Sequence, residues 1–425
     1  MSAVSKFILH IADLFKPILL KAVPVKVLRK MKGKMISDSF GKLNEMNIIP
    51  YETGRYKKGV NLIGNIKAET GLGQSCRLVA SALMQTGTKM SVYQYTQLGT
   101  QKTGDTSWDA KISRDLPYDI NLIHINPYEM GITYLQMDKS AWDYRYNIAY
   151  WLWELEEFPD EWTPCFHCLD EIWAPSEFIC SAIRKKTPLP VRCMPYHVEA
   201  SMQREYGRSD FGLPEDRFLF LMMYDHSSGM ERKNPVGVLK AFKSAFPKEN
   251  DKVGLVIKVN NFTKEDEEKI SALLDEYTNI YLIKETLDRD HINSLTKCVD
   301  AVVSLHRAEG FGLVLAEAML LGTPVIATNW SSNTEFMNAE TGCMVDYKMT
   351  VIERDMPPFK AGNRWADPDI MQAAAYMQKL YEDKEYYQQM AVNAREHIQK
   401  LLSMERIAGL MKKRLAEIYG ELEKK

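Results

Sequence analysis

Short runs rich in Val, Ile and Leu alternate with segments of helical periodicity from about residue 59, and the alternation occurs twice along the 425-residue chain. A strand that is apolar at nearly every position, rather than at every second one, must be covered on both faces. That is the condition of a parallel sheet between two layers of helix. The class is therefore α/β. In the first half, predicted strands are 60–66, 90–95, 120–125, 148–153, 171–174 and 191–195. In the second half they are 217–224, 253–259, 280–284, 301–305 and 324–328, with amphipathic helices over 234–246 and 264–277 among them. Two Rossmann-like halves follow. The polar stretch 199–216 has no periodic apolar face and reads as the linker, so a cleft is expected to face it. The expected divisions are 1–35, a first domain over 36–200, a second over 201–380, and a helical tail over 381–425. Helix-favouring composition begins at about residue 367, and the tail either packs outside the second sheet or returns to the first domain.

Charge and cysteine content narrow the functional classes. A formal net charge of -2 and a pI near 6.5 give no global basic field, so nucleic-acid binding is not expected. Seven cysteines without a regular framework, in a chain too large to need staples, point to a reducing, cytoplasmic compartment. No run is long and apolar enough to cross a bilayer, and no leader pattern is present. Residues 1–35, however, hold eight Lys or Arg against the single acid Asp13, with Phe7, Ile11, Phe15 and Ile18 at helical spacing. This segment suits either an anionic membrane surface, giving peripheral attachment at the inner face of the cell membrane, or packing against a domain.

Chemistry concentrates in 304–338, SLHRAEGFGLVLAEAMLLGTPVIATNWSSNTEFMN. A buried strand ends near His306, Glu309-Gly310-Phe311-Gly312 form a loop, and a helix is expected over 313–321. Gly310 and Gly312 let backbone approach a ligand closely, and the unpaired N–H groups of a helix start suit a diphosphate. Glu309 and Glu317 are spaced so that one sits in the loop and the other about two turns into the helix, addressing different parts of a ligand. Upstream, 224–241 repeats the strand, polar loop and helix pattern, with Lys233 just before the expected helix start at Asn234-Pro235. In the first half, 60–87 places Gly71 and Gly73 at a strand-to-helix turn, and 121–127 places His124 near a strand end.

The two glutamates, the intervening GFGLVLA and the following AEAMLLGTPVIAT resemble retaining GT-B glycosyltransferases of family 4, the glycosyl transferases group 1. The resemblance implies two Rossmann-like domains facing a cleft, and transfer of a sugar from a UDP- or GDP-linked donor with retention of anomeric configuration. On it, Glu309 contacts donor-sugar hydroxyls and Glu317 the ribose. Amides near Gly310, Phe311, Gly312 and Leu313 hold the diphosphate. Lys233 offsets leaving-group charge, the Gly71/Gly73 loop closes over the phosphates, and His124 lies beside the donor sugar. A core histidine is the alternative for His124. The chain departs from the family where an arginine usually precedes Lys233, and Arg232 or Lys258 is expected to substitute.

The stretches 150–162 and 170–178 also resemble bacterial members that build surface polysaccharides, so the expected acceptor is a glycan or lipid-linked glycan. Their aromatic density equally fits simple packing. Cys165 and Cys168 lack a second pair for zinc, and Asp288-Arg289-Asp290 sits where a helix cap is expected, so no metal or other cofactor is assigned. Two other readings stay open: a nucleotide-sugar epimerase or hydrolase of the same fold, and a non-catalytic sugar-nucleotide binding partner.

Overall fold

The computed structural model describes residue 34 and residues 38–43, 47–95, 103–274 and 277–424. Apart from Lys34, the basic segment 1–35 lies outside the described residues. Among these residues no helix is long and apolar enough to cross a membrane.

The first domain is a six-stranded sheet of β1 (Lys57–Gly64), β2 (Met90–Gln94), β3 (Tyr118–His124), β4 (Tyr146–Tyr150), β5 (Glu171–Ala174) and β6 (Val191–Cys193). Its order is β2-β1-β3-β4-β5-β6 and every pairing is parallel. Helices α1 (Gly71–Gln85), α2 (Pro127–Gln136) and α3 (Glu177–Arg184) supply crossovers. Thr70 caps α1 and Ser176 caps α3 through side-chain oxygens that accept N–H bonds from Gly73 and Ile179.

The second domain repeats the plan with β7 (Phe218–Asp225), β8 (Val253–Asn260), β9 (Ile280–Ile283), β10 (Ala301–Ser304), β11 (Val325–Thr328) and β12 (Cys343–Val345). Read from β9, the order β9-β8-β7-β10-β11-β12 is the doubly wound arrangement, with its topological switch between β7 and β10. The helices are α4 (Met230–Lys233), α5 (Pro235–Ala245), α6 (Lys264–Leu274), α7 (Arg289–Cys298) and α8 (Leu313–Leu321), followed by α9 (Ile370–Glu382), α10 (Lys384–Leu401) and α11 (Met404–Leu422).

Where structure and sequence reading differ, local physics gives the reason. The predicted strand 148–153 ends at Tyr150, because the chain turns there and Trp151 and Trp153 enter the first domain's core. β12 was not anticipated, being short and bounded by a glycine. Nor was the antiparallel hairpin of β13 (Tyr347–Val351) and β14 (Arg364–Pro368), where β13 has no buried residue and neither strand carries much apolar pattern. The helical tail accordingly begins after Pro368.

The last helix, α11, lies against α1 of the first domain. Its Arg414 reaches the fully buried Glu171 of β5 at 2.6 Å, and Glu171 also accepts bonds from Tyr146 Oη and Trp173 Nε1. Tyr419 Oη donates to Asp119 at 2.8 Å.

Candidate active site

Open parallel sheets bind ligands beyond the carboxyl ends of their strands, at the switch point. In the second domain that position lies between the segments after β7 and β10. These segments bring Lys233 to the wall of a cleft of about 1880 Å³ between the two domains, with the buried Glu309 paired behind it.

Gly312 opens α8 at φ 90°, a left-handed conformation that favours glycine. The Leu315 and Ala316 amides turn back to the Gly312 carbonyl at 2.9 and 3.1 Å, and no side chain caps this end. The Leu313 and Val314 amides therefore have no acceptor within the helix, and both residues line the cleft. The helix start presents N–H groups and partial positive charge to whatever occupies that space.

Beside it, the Glu309 carboxylate accepts from Lys233 Nζ and, at 3.4 Å, from Arg232 Nη1. Its amide donates to Ser331 Oγ at 3.0 Å. Lys233 is held here because Asn234, at φ 55°, stops α4 and caps α5, while its side-chain amide donates to the Leu305 carbonyl. Arg232 is tied to the Ala308 and Ser228 carbonyls. Burial alone would raise the Glu309 pKa, but Lys233 and Arg232 outweigh it and hold the pKa at about 2. For Lys233, burial lowers the ammonium's pKa while the charge of Glu309 opposes that shift.

A carboxylate not anticipated from the sequence completes this group. Glu154, in the turn after β4, approaches Arg232 at 4.0 Å and lines the cleft. Burial raises its pKa, against the pull of Arg232. The early end of β4 brings it there, and a pattern read as packing aromatics concealed it.

Glu317 lies on the fifth residue of α8, a little over one turn in rather than two. It is buried and accepts from Arg289 Nη2, and burial raises its pKa while Arg289 opposes. Arg289 starts α7, where Asp288 caps the helix by accepting from the His291 amide at 2.9 Å. Asp290 accepts from the Gln203 and Arg204 amides. Lys258, at the end of β8, also lines the cleft beside Asn260, and burial brings its pKa down to about 8 despite Asp225.

The first domain contributes differently from the sequence expectation. His124 is 1 % exposed, stacked on Tyr150 at 5.2 Å, with Nε2 3.3 Å from Ser75 Oγ. Burial pushes its pKa down to about 4, so the ring is neutral. It belongs to the layer behind the cleft. Asn126, two residues on, lines the cleft, and its Oδ1 has no partner among the described residues. Gly71 lines the cleft with open space around it, whereas Gly73 is required by packing, since a Cβ there would stand 2.0 Å from the Ala68 carbonyl oxygen. Gly310 faces the Trp153 carbonyl across the domain seam, and Phe311 puts its ring into the core against Tyr196. Neither residue lines the cleft.

The β13–β14 hairpin reaches over the first domain. Phe359 meets Trp153 at 5.6 Å and Lys360 pairs with Glu161 at 2.8 Å, so residues 355–360 roof one end of the cleft.

Cys165 and Cys168 are buried in the first domain's core, where burial raises both thiol pKa values, that of Cys168 to about 12. The three-donor group within 4.8 Å among the described residues is instead Glu177, Cys180 and Cys193, and Arg184 already pairs with Glu177.

No curated protein matches the sequence. The family model of glycosyl transferases group 1 matches residues 204–397. Among solved structures, Anabaena HepE, determined with UDP and glucose, is 14% identical with a TM-score of 0.59, covering 85% of this chain and 100% of its own. Sucrose-phosphate synthase from Thermosynechococcus elongatus gives 15% identity and 0.61, with 86% and 100% covered. A glycosyltransferase from Rickettsia africae gives 15% and 0.61, with 86% and 99% covered. Residues 204–397 thus form a glycosyl transferases group 1 domain within a GT-B architecture, and the protein is a glycosyltransferase.

Proposed function

We propose that the protein is a retaining enzyme that moves a hexose from a nucleotide diphosphate donor, UDP-linked ahead of GDP-linked, to a glycan or lipid-linked glycan of the cell surface. One observation carries the reading. The uncapped amides of Leu313 and Val314 open onto the same cleft as Lys233 and Arg232, both of which pair with the Glu309 carboxylate behind them, at the β7/β10 switch. An anion with a polyol attached satisfies both groups: diphosphate oxygens take the amides and cations, and sugar hydroxyls take Glu309.

The chemistry is mainly electrostatic. As the bond from the anomeric carbon to the diphosphate oxygen breaks, negative charge grows on that oxygen. The helix start and Lys233 are already oriented to meet it, with Arg232 and Lys258 beside them. The acceptor hydroxyl attacks the anomeric carbon from the same face, and its proton passes to the departing oxygen. Glu317 holds the ribose once Arg289 yields it. Asn126, rather than His124, is the first-domain group placed to meet the sugar. His124 positions the Gly71 turn through Ser75. The acceptor enters between Tyr128, Glu154 and the hairpin tip, and the domains close to align the reacting atoms. The HepE complexes with UDP support testing uridine first. No metal takes part in these steps, and activity is expected to withstand a chelator.

The test is a thermal-shift panel of UDP, GDP, ADP and their sugars, because a ligand that binds only the folded state raises its apparent stability. Stabilisation by one nucleotide, with the corresponding sugar nucleotide consumed when a glycan is added, supports the reading. The absence of any stabilisation sinks it.

A further inference from the structure

A second groove of about 530 Å³ crosses the domain seam outside the cleft described above. Its walls are α3 of the first domain and, from the second, the segment 329–335 and β13. Trp330 forms the centre, with Phe178 edge-on at 5.7 Å and Tyr347 at 5.0 Å. All three rings are half-buried, so their remaining faces border the groove. Around them stand a carboxylate, an amide and two hydroxyls, from Glu156, Asn329, Ser181 and Thr334.

The chemistry of this lining selects an occupant. Ring faces receive the C–H faces of a pyranose, while amide, carboxylate and hydroxyl groups receive its hydroxyls. A phosphate or nucleotide is poorly served: the groove carries Glu156, Glu177 and Glu335, and its one lysine, Lys185, already pairs with Glu157 at 3.2 Å. An occupant would touch both domains at a point where they are already joined. The Glu335 carboxylate accepts the Glu177 and Phe178 amides at 2.9 and 2.8 Å, capping α3 from the other domain. Ser176 Oγ and Ser332 Oγ meet at 2.8 Å. The wall is shared with the catalytic loop, since Ser331, at φ 72°, lines the groove and takes the Glu309 amide on its Oγ.

We propose that this groove is a second saccharide site, which holds a neutral segment of the glycan acceptor or product away from its reacting end. The inference rests on the proposed transferase function. A chain held there bridges the domains and keeps the closed arrangement in which Glu309 is seated by Ser331.

The experiment is saturation-transfer NMR on the full chain with UDP in excess, using maltotetraose, cellotetraose and chitotetraose as probes. UDP affinity is measured first on its own, so failure of the donor reading is seen separately from failure of this one. We expect at least one tetrasaccharide to bind, and at least tenfold weaker binding in both Trp330→Ala and Ser181→Trp, the second filling the groove without removing its platform. Trp330→Phe should stay within threefold of wild type, and UDP affinity within twofold in all three variants. Three results would each overturn the proposal: no tetrasaccharide bound, equal binding in wild type and both disruptive variants, or loss of binding in Tyr128→Ala alone, which would place the glycan only in the main cleft.

Discussion

Replacing Glu309 with Gln keeps its shape and removes its charge, and the consequences can be worked from its surroundings. In the folded protein the carboxyl is 8 % exposed and titrates at about 2, burial being outweighed by Lys233 and Arg232. Against an unfolded value of about 4.3, the shift corresponds to about 3 kcal/mol of stability at pH 7. Because the folded pKa is depressed, this contribution is fully present above about pH 4.3 and is lost as pH falls through about 2. At pH 2.5 about 1 kcal/mol should remain. Urea unfolding of wild type and Glu309→Gln should therefore differ by about 3 kcal/mol at pH 7 and by about 1 kcal/mol at pH 2.5. A difference that stays constant with pH would show that the variant disturbs packing instead, and no difference at pH 7 would refute the ionised network.

Three further outcomes follow from the same geometry. Lys233→Ala should lower kcat by about 10²–10³, or roughly 2.7–4 kcal/mol of transition-state stabilisation, with the fold intact by circular dichroism. Affinity for UDP should be full below pH 8 and fall as pH rises through about 8, where Lys258 loses its proton, and titration calorimetry on Lys258→Met should show that limb gone. The same depressed pKa means that this group's own contribution to stability rises with pH between about 8 and about 10.4, so its deprotonation does not itself unfold the protein. Arg414→Met should cost about 3–5 kcal/mol in urea unfolding by leaving Glu171 charged and buried without its partner, and adding Glu171→Gln should restore part of it.

Much of this architecture is written in local pattern. Strands buried on both faces, such as β5 and β11, announce themselves as apolar runs, and the loop from Glu309 to Gly312 carries both its turn residue and its acid in one short stretch. What the sequence hides depends on long-range contact. Glu154 is one acid among several in WELEEF, and only the turn after β4 separates it from its neighbours by bringing it to Arg232. Asn126 and His124 lie two residues apart at the end of β3, and nothing local says which one lines the cleft. Arg289 was read only as part of a helix cap, whereas its guanidinium crosses to Glu317, 28 residues further on. The β13–β14 hairpin is nearly invisible to periodicity because its apolar contacts, Ile352, Phe359 and Trp365, belong to the other domain's core.

The most direct test is a crystal structure of the full chain with UDP bound. The diphosphate should lie within hydrogen-bonding distance of the Leu313 and Val314 amides and of Lys233 Nζ, with the ribose on Glu317 and Arg289 moved away. A diphosphate bound elsewhere, with Lys233 still closed on Glu309 and the start of α8 in contact only with solvent, would contradict the account.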